Sequence, residues 1–568
     1  MRHVANIQNN VANFWQKYKK IFKMCFLFLL VVLYFVYFTF ALKYHFGDEG
    51  SIRLVWVTSL AVFGIVVSFI IDKFGEDIHK ILSPLLNFVH KYTNFINWFL
   101  LASIFVGVII MLIVDLTSKS AELYNLVSLS GVVVYVLLLF IFSVSPAKVK
   151  WRTVLWGFAL QLAFALMILR WSFGYNAFKW LGDRVAEYLA YIDAGSEFVF
   201  GKSFKDHFFA MQVLPTVIFI SSTITILFYL NVMQWVILKI AWVMQACMDT
   251  TAGESVNTAG NIFIGQTEAP LLIRPILPSM TKSEIHAVMT GGFATIAGGV
   301  LAAYILFGVP ANHLLSASVM SAPAALGIAK LSYPETKKSL TTAKKVKALI
   351  EKCPEKNIVE AAASGASAAI PLVANIAANL LAFIALLEFM NATLTWFGDR
   401  VGSSQPITFQ LVISYIMLPF ALVMGVKVPD CRKVGQLIGV KTFINEFVAF
   451  EELGIFIDNR KKFDEHVRLN GTWEYSSTND DIILQHPYGN STVLKHGVIE
   501  DRSVVISTYA LCGFSNISSI GIQIGAFTAM VPSRKKVFSK IAVRAMISGS
   551  VACFITACVA GLFYRAEV

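Results

Sequence analysis

Apolar stretches about as long as a bilayer is thick recur along the whole chain, separated by short polar and basic connectors. They predict spans near residues 22–42, 53–71, 96–115, 124–145 and 152–171. These early spans are rich in Leu, Val and Phe and nearly free of polar residues, as expected of a lipid-facing scaffold. From about residue 205 the texture changes. Apolar residues now mix with Gly, Ala, Ser, Thr and Asn, which let helices pack closely and need partners inside protein. Residues 231–248 read as an amphipathic, partly interfacial helix. Residues 250–278 are interrupted by Gly253, Gly260, Gly265, Pro270, Pro275 and Pro278, too often for one spanning helix. They predict a re-entrant hairpin with 265–268 near its tip, because irregular backbone at that depth must line a cavity or be buried in protein. Spans near 284–308 and 313–331 follow. The first carries Gly291, Gly292, Gly298 and Gly299 and predicts a helix broken in mid-membrane. Further spans lie near 361–391 and 407–427, a second broken segment at 432–457, and the last spans at 503–531 and 538–563.

Composition places this pattern in one class. The 568 residues are 57% hydrophobic and 14% charged, with mean hydropathy +0.66. A soluble chain carries nearer a quarter charged residues, so the protein is a polytopic membrane protein. The net charge of +12 does not call for nucleic acid. The basic residues sit in short connectors, such as Lys148, Lys150 and Arg152 or the run 533–536, as cytosolic loops do. The lysine-rich segment 332–359 reads as a cytosolic loop with a surface helix. The first apolar run follows Lys17, Lys19 and Lys20 and reads as a signal anchor with a cytosolic N-terminus. The polar segment 458–501 holds two glycosylation sequons, at Asn470 and Asn490, and belongs outside, with the C-terminus on the same side. Sequons at Asn391 and Asn516 fall in membrane segments and read as chance matches. Seven scattered cysteines without paired spacing suggest neither a disulfide framework nor a zinc site. Four regions result: scaffold spans over 1–204, a first transport half with central spans and second hairpin over 205–457, the outer loop 458–501, and a broken helix with last span over 502–568.

The chemistry concentrates in two motifs. Glu268 lies in Gly265-Gln266-Thr267-Glu268-Ala269-Pro270, and Glu446 in Ile444-Asn445-Glu446-Phe447. A charge at membrane depth costs about 2.5–3.5 kcal/mol, so it is rarely there without a task. Each motif is followed by a related stretch, Gly292-Phe293-Ala294-Thr295-Ile296 after the first and Gly513-Phe514-Ser515-Asn516-Ile517 after the second. Duplicated, interrupted segments of this kind point to a transporter's binding site. The competing structural reading pairs Glu446 with Lys441 and Glu268 with Arg274.

At these motifs the chain resembles the concentrative nucleoside transporter family. The matching stretches are GQTEAPLLIRPILP (265–278), GGFATIAGGVLAAYILFGV (291–309), SAPAALGIAKLSYPE (321–335), ASGASAAIPLVANIAANLLAFIALL (363–387), GVKTFINEFVAFEEL (439–453) and YALCGFSNISSIGIQIGAF (509–527). The resemblance covers most of 205–564, while the first spans match only in general character. It implies an all-α helical bundle with two re-entrant hairpins and two discontinuous helices in an inverted repeat. It also implies elevator-type alternating access, a homotrimer in the plasma membrane and a nucleoside substrate. On the family pattern Gln266, Thr267 and Glu268 face the nucleobase, with Val300 beside it. Glu446, Asn516 and Ser519 hold the ribose hydroxyls, with Phe514 packing nearby. Asn261 and Thr295, with carbonyls near Ile264 and Ile296, form the cation site. The coupling ion is sodium, protons or both, and no prosthetic group is implied. Gly265-Gln266 resembles members that accept both purine and pyrimidine nucleosides.

Elementary chemistry agrees with these roles. Ribose hydroxyls both donate and accept, and a carboxylate, an amide and a hydroxyl together satisfy them. A hard monovalent cation wants oxygen ligands, which Asn, Thr and unwound carbonyls supply. Three rivals remain: a carrier of another small polar metabolite, a channel, and an intramembrane enzyme. The last is disfavoured because the chain has no HExxH, GxGD or GxSG motif.

Overall fold

The computed structural model describes residues 2–59, 61–66, 92–117, 124–339, 354–403, 406–476, 480–485 and 491–565. The end of the span expected at 53–71, most of the surface helix expected within 332–359, and Asn490 lie outside the described residues. The contacts divide the chain into two units, Met1–Ile96 and Asn97–Val568.

The first unit contains the helix Arg2–Tyr44 and the apolar helix Glu49–Val66. Asp48 starts the second of these, its carboxylate accepting from the Ser51 amide at 2.7 Å. The Tyr34 and Thr58 hydroxyls lie 2.5 Å apart, so the two helices run back along one another.

The second unit is almost wholly helical. Among the described residues of the whole chain, ten helices are long and apolar enough to cross a membrane. Its core is built by small residues. Ala311–Ser332 packs on Trp151–Ala165, and its Ala317, Ser318, Ser321, Ala322, Ala324 and Ala325 are buried. Lipid offers no hydrophobic drive between helices, so close approach of small side chains and polar bonds supply the cohesion. The last helix, Lys535–Phe563, packs against Lys282–Ala294, Asp501–Leu511 and Tyr124–Ile141. Its Thr556 hydroxyl takes a bond from Gln161 at 2.9 Å and meets Ser321 at 3.1 Å. The buried Arg502 guanidinium spreads over three segments, reaching Ser128, Gly425 O and Gly561 O. In the span Lys282–Leu306, 78% of the apolar window is buried, against 6% in the long helix Ile358–Arg400. The first is therefore core. The second lies at the periphery, where it packs on Leu214–Tyr229.

The predicted interruptions are present. The first hairpin descends as the helix Ala252–Gly260 and returns as two 3-10 turns, Ala269–Ile273 and Leu277–Ser279. Pro270, Pro275 and Pro278 remove backbone donors along that return, so a regular α-helix cannot form there. The second hairpin is two helices, Cys431–Phe443 and Glu446–Arg468, which meet at Ile444 and Asn445. The two discontinuous helices are Lys282–Ala294 with Gly298–Leu306, and Asp501–Leu511 with Ile517–Met530.

Two parts of the chain differ from the sequence reading. Residues 172–204, left without an element, form the helices Ser172–Ala190 and Ile192–Phe200. Neither is a continuous apolar run, so neither registers as a span. In the outer segment the hairpin helix continues to Arg468, and a three-stranded antiparallel sheet follows. Each strand has four residues, Thr472–Tyr475, Ile482–Gln485 and Ser491–Leu494, too few for a clear alternation. An ion pair between Arg432 and Asp480 ties this sheet to the second hairpin. So do bonds from Asn459 Nδ2 to Lys495 O at 2.8 Å and Gly497 O at 2.9 Å.

Candidate functional site

The four interruptions converge on one cavity. From the first hairpin tip it is lined by Gln266, Thr267 and Glu268, and from the following broken helix by Val300. From the second repeat come Glu446, Phe514, Asn516 and Ser519. All the residues assigned to substrate from sequence are thus brought together. The two breaks also touch each other, the Phe514 amide donating to Thr295 O at 3.3 Å.

Local capping explains how the polar groups are held. Asn445 caps the helix Glu446–Arg468, its side-chain oxygen accepting from the Val448 amide at 3.1 Å. This sets Glu446 at the first helical position, where the helix dipole favours a negative charge. Asn516 caps Ile517–Met530 in the same way. Its Oδ1 accepts from the Ser519 amide at 2.8 Å and from the Ser518 hydroxyl at 2.7 Å. With the oxygen used as acceptor, Nδ2 is free to donate, and it bonds Glu446 Oε2 at 2.6 Å. The capping geometry of one repeat therefore orients the carboxylate of the other. A carboxylate has about four lone-pair sites, so Glu446 keeps acceptor capacity facing the cavity. Lys441 Nζ donates instead to Ala510 O at 3.0 Å, which removes the simple reading of Glu446 as its ion-pair partner.

At the first tip, Gln266 Oε1 accepts from Gln523 Nε2 at 3.0 Å, and Gln523 also reaches Met289 O at 3.2 Å. This approach requires Gly292, since a Cβ there would lie 2.6 Å from Gln523 Nε2 and 2.9 Å from Gln266 Cβ. At Gly265 the Glu268 carboxylate folds over the space a Cβ would fill. Glu268 is exposed toward the opening, whereas Glu446 is 4% exposed.

The residues expected to hold a cation also converge. Gly298 N donates to Phe263 O at 3.0 Å, fastening the hairpin tip to the break that contains Thr295 and Ile296. Asn261 is fully buried, and both polar atoms of its side chain lack a hydrogen-bond partner. Its Nδ2 lies 3.0 Å from where a Cβ on Gly291 would stand. The Gly291 carbonyl takes the Thr295 hydroxyl at 2.9 Å, leaving the Thr295 oxygen with lone pairs to offer. Leaving a buried carbonyl oxygen unsatisfied costs about 1–3 kcal/mol, and a cation bound to Asn261 Oδ1 would remove that part of the cost, while Nδ2, a donor, cannot ligate it. With Ile264 and Ile296 beside them, the residues present fit a small hard cation.

Several groups that line the cavity or support its lining residues were not found from sequence. Gln523 stands at helical spacing from Asn516 and Ser519, and that period could have revealed it. Asn379, with Leu372 and Ile376, enters from Ile358–Arg400, where one amide in a long apolar helix carries little signal. Tyr304 is fully buried, stacks on Phe450 with ring centroids 4.2 Å apart, and faces Glu446.

Residues 313–561 match the family model for the Na+ dependent nucleoside transporter C-terminus, and residues 130–203 the model for its N-terminus. Residues 210–311 match a nucleoside recognition domain termed Gate. Over its whole length the chain is 46% identical to solute carrier family 28 member 3 of Eptatretus stoutii, covering 79% of that protein. The chain belongs to the concentrative nucleoside transporter family. Homo sapiens solute carrier family 28 member 3 is 47% identical over 91% of the chain and 71% of its own length. Rattus norvegicus sodium/nucleoside cotransporter 2 is 42% identical over 99% of the chain and 80% of its own length. Among solved structures, the family member CNTnw in an inward-facing substrate-bound state aligns with a TM-score of 0.67 at 32% identity. That alignment covers 78% of this chain and 98% of the other.

Proposed function

We propose that this protein is a sodium-coupled symporter that carries nucleosides across the plasma membrane. The observation that carries the reading is the single cavity shared by both repeats, in which a buried carboxylate, an amide and a hydroxyl face Gln266, Thr267 and Glu268. Glu446, Asn516 and Ser519 bind the ribose. Gln266, Thr267 and Glu268 read the base, with Val300 and Phe514 closing the apolar sides. Asn261, Thr295 and the carbonyls of Ile264 and Ile296 hold sodium. The cation bridges the hairpin tip and the helix break, so its arrival organises the wall that receives the base. The hairpins and broken helices move as one body in an elevator-type cycle. The chain assembles as a homotrimer, with a cytosolic N-terminus and an extracellular C-terminus. Selectivity is broad across purine and pyrimidine nucleosides.

The direct test is radiolabelled uptake of several nucleosides in oocytes, with sodium replaced by choline. Uptake above the external concentration that disappears in choline is the expected result. It separates the symporter from a channel, and recovery of unchanged substrate separates it from an enzyme. Asn261→Ala and Thr295→Val remove one oxygen ligand each from a low-dielectric site. Both should raise the sodium concentration needed for half-maximal uptake, with a smaller change in substrate affinity at saturating sodium. Sodium activation curves identical to wild type in both variants would reject these ligands.

The outer segment gives a topological test. Asn470 lies exposed in the turn between Arg468 and the first strand, open to a glycan. Glycosidase treatment of cell-expressed protein should lower its apparent mass, and Asn470→Gln should abolish or reduce that shift. An unchanged mass, with a tag in this segment reached only after permeabilisation, would reverse the orientation.

A further inference from the structure

A second, separate cavity lies at the end of the molecule that carries the connector 533–536. It is a groove lined by Lys282, Lys536, Lys540 and Arg544, with Val144, Val537, Ile541 and Tyr333 between them. No carboxylate lines it among the described residues. The acidic side chains of the adjoining segment are engaged elsewhere. Glu284 bonds the Thr281 amide and the Ser339 hydroxyl, and Glu335 takes the Thr281 hydroxyl and faces Lys330. Lys282, Lys536 and Lys540 are exposed and form no ion pair among the described residues, while Arg544 uses one nitrogen to reach Phe142 O at 2.8 Å. Among the described residues the site thus holds four cations without counter-charges.

The backbone adds to this field. Lys282–Ala294 and Lys535–Phe563 both begin at the groove, so two helix N-termini contribute their partial positive charge to one place. The floor is apolar, made by Val144, Val537 and Ile541. A purely soluble anion has no use for that floor, whereas a lipid presents a phosphate above glycerol and acyl carbons. The basic connector places this end on the cytosolic side, where anionic lipids are concentrated. A solvated basic rim would satisfy the charge distribution rule alone, but it would not need a recess between two helices and the segments at Val144 and Tyr333.

We propose that the groove between Lys282–Ala294 and Lys535–Phe563 is a binding site for the phosphate-bearing headgroup of an anionic lipid of the cytoplasmic leaflet. Lys282, Lys536 and Lys540 contact the phosphate oxygens and Arg544 closes the inner end. Val537 and Ile541 receive the first carbons of the chains. The site lies on the same helix that leads to Thr295 and Val300, so an occupied groove stabilises the position of that helix relative to the last one.

The test is native mass spectrometry of the delipidated full chain in detergent with added phosphatidylinositol phosphate or phosphatidylcholine, and with free inositol phosphate as competitor. Wild type should retain the anionic lipid in preference to phosphatidylcholine. Lys536→Gln and Lys540→Gln should each weaken retention roughly 5-fold, the worth of one cation near an anionic surface. The doubly substituted Lys→Arg protein should bind as wild type, and Lys461→Gln, outside the groove, should change nothing. Wild-type preference in the double Gln variant would overturn the proposal, as would equal retention of phosphatidylcholine. Free inositol phosphate competing as well as the lipid would also overturn it, in favour of a soluble anion. Melting of each variant by fluorescence, unchanged from wild type, shows that a loss of retention is not a loss of fold.

Discussion

Replacing Glu446 with Gln should cut nucleoside uptake by roughly 10- to 100-fold while leaving the protein at the cell surface. The range follows from losing a charge-assisted hydrogen bond in a buried site, about 1.5–3 kcal/mol. The substitution keeps shape and volume, and Gln still offers an oxygen to Asn516 Nδ2, so the contact between the two repeats survives in neutral form. What disappears is the charge proposed to accept hydrogen bonds from the ribose hydroxyls. The discriminating ligand is a nucleoside without its 3′-hydroxyl. Wild type should reject it, and the variant should reject it much less, because the group that read the hydroxyl has gone. A surface-expressed variant that keeps full discrimination would move Glu446 from recognition to architecture. Asn516→Asp is the partner experiment. It retains the cap on Ile517–Met530 but sets two carboxylates against each other, so it should lose uptake at least as severely.

Replacing Lys330 with Ala should lower stability by about 3–5 kcal/mol, the usual cost of breaking a buried ion pair from one side. Lys330 pairs with Glu254, which is 1% exposed, and also bonds Ser283 Oγ at 3.0 Å. Glu254 is committed locally as well: its other oxygen takes the Thr251 amide at 3.0 Å and hydroxyl at 2.9 Å, forming the capping box that starts the first hairpin. Removing the lysine leaves a carboxylate buried in apolar protein at the root of the segment that carries Gln266. Thermal melting of purified protein should show a large drop, and uptake should fall with it. The double variant Lys330→Met with Glu254→Gln removes both charges, keeps the cap acceptor and should recover much of the loss. If the single variant melts as wild type does, the pair does not hold the hairpin.

The sequence alone determined the features that follow from local cost. Two carboxylates in apolar surroundings, Glu268 and Glu446, had to be functional or paired. Gly and Pro spread over 250–278 and 291–299 meant that neither stretch could form one continuous helix. These are properties of a few neighbouring residues in a solvent that punishes exposed backbone, so they are legible without a fold. The tertiary structure decided which polar group meets which. Gln523 finds Gln266 across 257 positions and Asn516 finds Glu446 across 70, and neither pairing has a period that sequence could reveal. Lys441 and Glu446 are neighbours in sequence, yet the fold sends the lysine to Ala510 O and the carboxylate to Asn516. The same holds for Lys330 with Glu254, for Asn379 reaching in from a peripheral helix, and for the outer sheet of four-residue strands. In each case the residue type is compatible with many partners, and only the packing of distant elements brings one of them within hydrogen-bond range.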